Sequence, residues 1–96
     1  MLGVRGNVEE NNGTDFTFFI SSLAMQASIA LGLIAHPITN KTDQNLSHAK
    51  LIIDTLAILK EKTQGNLTTD EDSLLDKFLY ELKIQYAKKL QTEEAQ

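Results

Sequence analysis

The sequence predicts an all-α protein of three helices, and three observations carry that prediction. Helix breakers are few and clustered: the glycines are Gly3, Gly6, Gly13, Gly32 and Gly65, and the single proline is Pro37. The segments between them, roughly 15–35, 45–64 and 69–92, repeat apolar residues every three or four positions. No run alternates apolar and polar residues between turn signals, as a half-buried strand does. A chain of 96 residues suffices for one domain. Residues 14–92 are read as that domain, 1–13 as a mobile polar tail and 93–96 as a mobile end.

Helix one begins at Thr14 or Asp15, either of which can accept the free N–H groups of a first turn. It fades through Gly32 and stops before Pro37, which disfavours helical angles at His36. From Phe16 to Ala35 there are 20 consecutive residues without a charge. Phe16, Phe19, Ile20, Leu23, Ala27, Ala30 and Ile34 form one face, and Phe18, Met25 and Ile29 another. Between them runs a stripe of small residues, Thr17, Ser21, Ala24 and Ser28. A helix apolar nearly all round has to be buried nearly all round. Two further helices in so short a chain do not cover every side, so a partner chain or lipid is required. Polar Gln26 near the middle, and the lack of a basic cluster at either end, favour a soluble oligomer over a membrane span. Glu9, Glu10 and Asp15 ahead of the apolar run also argue against a secretory signal.

A loop over 37–45 leads to helix two, capped by Asp43 or Asn45. Leu46, Ala49, Ile53, Leu56 and Ala57 make its apolar side, with Ile52 and Leu59 adjoining and Leu51 and Ile58 further round. Lys50 and Asp54, four apart, form a solvated pair. Gly65 suits a left-handed position that ends the helix, with Lys60 and Lys62 at its negative end.

Helix three opens on Thr68-Thr69-Asp70-Glu71, where Thr68 and Glu71 have the spacing of a capping box. Leu75, Leu79, Leu82, Tyr86 and Leu90 form its apolar stripe. So short a link from helix two predicts an antiparallel hairpin.

The composition excludes several functions. With 9 Lys and Arg against 13 Asp and Glu, the net charge of −4 opposes nucleic-acid binding. Without cysteine there is no disulfide, thiolate metal site or cysteine nucleophile. His36 and His48 are twelve apart, with no acidic residue or second histidine at ligand spacing, and read as a loop and a first-turn residue. No Gly-rich phosphate loop occurs, and Ser21, Ser22 and Ser28 have no base near them in sequence. No catalytic residue, metal or cofactor is expected.

The runs Phe19-Ile-Ser-Ser-Leu-Ala-Met-Gln-Ala and Leu31-Gly-Leu-Ile-Ala-His-Pro37, then Ile53-Asp-Thr-Leu, Glu61-Lys-Thr-Gln-Gly-Asn-Leu-Thr68 and Leu79-Tyr-Glu-Leu-Lys, carry a likeness. Over about residues 16–86 the chain resembles a bacterial family known as domain of unknown function 1844. It departs from that pattern at Lys83, where Arg is usual, and near Asn40, where Gly is usual. The resemblance implies a small cytoplasmic bacterial protein and transfers no catalytic residue.

The function expected is self-association by a non-enzymatic interaction module, most simply as a homodimer, with another protein as a possible further partner. Its interface would be Thr17, Phe18, Ser21, Ala24, Met25 and Ser28, the small residues allowing close approach. Gly65, Thr68 and Glu71 are structural residues of the helix–turn–helix. A second reading is a binder of a lipid-like or other apolar ligand lined by Phe16, Phe18, Phe19 and Met25, or a membrane-associated protein using helix one. The third, and least supported, is an enzyme using Asp54, Glu61, Lys62, Asn66 and Tyr80 between subunits.

Overall fold

A computed structural model describes residues 15–94. The expected tail over 1–13, and the final two residues of the chain, lie outside the described residues. Among the described residues all regular structure is helical: α1 is Phe16–Ala30, α2 Leu46–Lys62 and α3 Thr69–Glu94. Each helix packs against the other two.

Asp15 starts α1 by accepting the Phe18 N–H on its carboxylate at 2.9 Å. The helix ends at Ala30, earlier than the expected fade toward Pro37. The cause is Gly32, whose φ of +81° reverses the backbone. Its N–H donates to Ile29 O and the Leu33 N–H donates to Ser28 O, both at 3.0 Å. These two bonds close a Schellman motif and satisfy carbonyls that an ending helix leaves bare. The chain then loops through Asn40, a non-glycine residue at φ +59°. It returns so that the Asn45 N–H donates to Ala30 O at 2.7 Å. One bond thus fastens the end of α1 to the start of α2. Asn45, of its two candidate caps, caps α2 by accepting the His48 N–H at 3.1 Å.

The α2–α3 link is a short turn. The Asn66 N–H donates to Thr63 O at 2.9 Å, and Gly65, the third residue of that turn, has φ +83°. Thr68 and Glu71 then cap α3 reciprocally. The Thr68 N–H donates to Glu71 Oε1 at 2.9 Å, and the Glu71 N–H donates to Thr68 Oγ1 at 3.1 Å.

One core unites the three helices. Ile20, Ala24, Ala27, Ala30 and Leu31 come from the first helix and its cap, and Ala49, Ile52, Ile53 and Leu56 from α2. Leu75, Leu79 and Leu82 come from α3. Ile20, Leu31, Leu56 and Leu75 are fully enclosed. Burying each such side chain contributes about 1.5–3 kcal/mol. On α3 the fully buried positions stop at Leu82, and Tyr86 packs partly against the core. The helix continues to Glu94.

As the sequence predicts, α2 and α3 do not cover every side of α1. Phe18, Phe19 and Met25 stand exposed. Alanines at 24, 27 and 30 join Ile20 on its inward face, while Phe18, Phe19 and Met25 are turned out.

Candidate functional site

Phe18 and Met25 are seven residues apart, two helical turns, and therefore share one side of α1. Phe18 is 57% exposed and Met25 53%. Beside this face runs a groove of about 550 Å³ between α1 and α3. Ser21, Ala24, Met25 and Ser28 line it from α1 and Phe78, Glu81, Leu82, Ile84 and Gln85 from α3, with Leu33 from the loop after α1. Its lining is mixed: Ala24, Met25, Leu33, Phe78, Leu82 and Ile84 are apolar, and Ser21, Ser28, Glu81 and Gln85 supply polar atoms.

The expected interface residues are therefore not equivalent. Ala24 is only 7% exposed and belongs to the chain's own core. The small-residue stripe is turned partly toward α3, because the alanines inside the bundle set the rotation of α1. Ser21 and Ser28 are half-buried along the groove, while Thr17, Phe18 and Met25 face outward. Of the four residues expected to line an apolar pocket, Met25 reaches the groove. Phe16 packs against the core, and Phe18 and Phe19 are exposed.

The turn residues are placed by backbone geometry. A Cβ built on Gly65 would meet nothing within 4 Å, so the positive φ alone asks for glycine there. Lys60 ties the two sides of the turn, reaching Asp72 at 3.5 Å and pairing with Asp76. The hydrogen bond to Asp76, with the charge of Asp72, raises the Lys60 ammonium above its ordinary range.

Lys50 donates to Asp54 at 2.9 Å on an exposed face, and that hydrogen bond raises the lysine in the same way. Asp54 borders a small cleft of about 180 Å³ with Lys50, Ile53, Lys83 and Tyr86. The grouping considered for catalysis had set it with Glu61, Lys62, Asn66 and Tyr80, none of which lines that cleft.

A further cleft, of about 590 Å³, lies where the α1–α2 loop folds back. His36, Thr39, Lys41, Asp43, Asn45 and His48 line it, over Gln26, Ile29 and Ala30 of α1. Sequence reasoning missed this meeting of two histidines. They are twelve residues apart along the chain, and the return of the loop, fastened by the Asn45–Ala30 bond, brings both to one cleft. Among the described residues no group of three or more His, Asp or Glu is placed to hold a metal ion. No helix there is long and apolar enough to cross a membrane.

The family model described as a domain of unknown function (DUF1844) matches residues 13–88. Comparisons with curated proteins and with solved structures find no match.

Proposed function

The chain belongs to the DUF1844 family, whose description assigns no activity, and we propose that it works as a non-enzymatic helical module that associates with a second copy of itself. The observation that carries this reading is the outward face of α1, where Phe18 and Met25 are both more than half exposed. A complete aromatic side chain spans about 150–250 Å². Phe18 alone then leaves on the order of 100 Å² of apolar area in water, and covering it contributes about 2.5 kcal/mol. Leu33 and Ile84 extend the apolar surface along the neighbouring groove. A two-fold contact covers such a patch with its own copy.

The framework of this module is read as an antiparallel hairpin of α2 and α3. Two observations support that orientation. Lys60, late in α2, meets Asp72 and Asp76, early in α3. Lys50 and Ile53, early in α2, share a cleft with Lys83 and Tyr86, late in α3.

Sedimentation equilibrium of the full chain tests the association. Wild type should exceed monomer mass at micromolar concentration, and Phe18→Glu with Met25→Glu should return it to monomer with unchanged circular dichroism. A monomeric wild type refutes the proposal. Ala24→Glu is the wrong probe, because a carboxylate at that buried position would attack the fold itself. A second reading, an apolar small-ligand binder, draws on Met25, Leu33, Phe78, Leu82 and Ile84 around the groove. A co-purified apolar molecule in native mass spectrometry would favour it.

A further inference from the structure

Hydrogen bonds at the cleft of the α1–α2 loop hold several of its polar side chains in place. Three of its polar side chains accept a backbone N–H, two within the loop and one in the first turn of α2. His36 Nδ1 accepts the Ile38 N–H at 3.1 Å. Thr39 Oγ1 accepts the Lys41 N–H at 3.3 Å. Asn45 Oδ1 accepts the His48 N–H at 3.1 Å. A neutral imidazole that accepts at Nδ1 carries its proton on Nε2. A hydroxyl that accepts still has its O–H to give, and an amide that accepts at oxygen still has its NH₂. Each of these three side chains thus has a donor to offer, and all three line the same cleft. The Lys41 ammonium, a donor with no acceptor capacity, joins them.

Four side chains that can donate to one guest, one of them a cation, suit an oxyanion. Asp43 on the same wall sets a limit, since its negative charge opposes a doubly charged guest more than a singly charged one. Ile29 and Ala30 add an apolar surface beneath the polar groups, with room for a short aliphatic chain. We propose that this cleft binds a small monoanionic carboxylate, its head on His36, Thr39, Lys41 and Asn45 and its aliphatic part over Ile29 and Ala30.

The test is a titration of the full-length, ¹⁵N-labelled chain, followed by amide spectra, with sodium butyrate, sodium phosphate and sodium chloride at matched ionic strength. Butyrate should move the amides over 38–48 along saturable curves, and chloride should leave them in place. Lys41→Gln and Thr39→Val, both at exposed positions, should each weaken butyrate binding tenfold or more. Amide spectra of the free variants identify any that has lost its fold, and the remaining variant then decides. Lys77→Gln, on α3 and outside the cleft, should leave binding unchanged. Shifts that never saturate, equal shifts with chloride, tighter binding of phosphate, or affinity retained in the folded variants would each overturn the proposal. Its outcome is separate from self-association, because neither Phe18 nor Met25 lines this cleft.

Discussion

Replacing Gly65 by valine isolates the cost of one backbone angle. The residue sits at φ +83° in the turn closed by the Asn66 N–H and Thr63 O. An added Cβ meets nothing within 4 Å, so the substitution neither clashes with a neighbouring element nor gains a contact. What remains is local: an L-residue held in the left-handed region costs about 1–2 kcal/mol. A β-branched side chain belongs at the upper end of that range or beyond it. Against this, losing glycine's freedom in the unfolded chain returns about 0.4–1 kcal/mol. Alanine should therefore cost about 0.5–1 kcal/mol net and valine about 1–2, while asparagine, which tolerates the conformation, should cost least. A domain of this size holds on the order of 5–15 kcal/mol in all. With a urea slope of about 1–2 kcal/mol/M, the valine variant should unfold about 1 M earlier than wild type. Urea melts followed by circular dichroism give all four midpoints. An unchanged midpoint for Gly65→Val, or an order other than Gly, Asn, Ala, Val, would refute the backbone argument.

Two other expectations concern the same junction. Thr68→Ala removes the oxygen that accepts the Glu71 N–H and should cost about 1 kcal/mol, a fall of about 4–8 °C in a thermal melt. Lys60 supplies a pH signature: hydrogen bonding to Asp76 raises its pKa above the ordinary 10.5, so its contribution is complete below that value and is lost as pH rises through the higher folded value. The stability difference between wild type and Lys60→Gln should thus stay level from pH 7 to 9 and narrow only in stronger alkali, and a difference already shrinking at pH 8 would contradict it.

Much of this junction was legible in the residues because its rules are local. The Thr68–Glu71 spacing and the lone Gly65 each describe local geometry within one turn of chain, as does the Lys50–Asp54 interval away from the junction, early in α2. The end of α1 was misplaced for the opposite reason. Leu33 and Ile34 continue the apolar composition past Gly32, and Pro37 offered a second, later stop. Composition pulled the boundary outward, whereas the Gly32-Leu33 pair, a Schellman signal in its own right, set it at Ala30. The rotation of α1 was legible in part: Ile20, Ala27 and Ala30 of the first apolar face are buried, with Phe16 and Leu23 against the core, while Phe18 and Met25 of the second face are exposed. Its apolar residues run most of the way round, so the burial of Ala24 and the exposure of Phe19 follow from packing against α2 and α3. The cleft with both histidines stayed hidden because it depends on a loop returning across fifteen residues, from Ala30 to Asn45.

The 26 residues of α3 form two regimes joined end to end. From Leu75 to Leu82 the helix shares in the common core, so its amides open only when the whole domain does. Beyond Tyr86 the sequence Ala87-Lys88-Lys89-Leu90-Gln91 consists of good helix formers with little of the core beside them. There the coil state competes turn by turn, and closure of each amide depends on its neighbours in the same helix. Hydrogen exchange along α3 should therefore change character within a single element. It becomes insensitive to denaturant toward the C-terminus and follows global stability near Leu79, so that the rod's far end behaves as a peptide tethered to a protein.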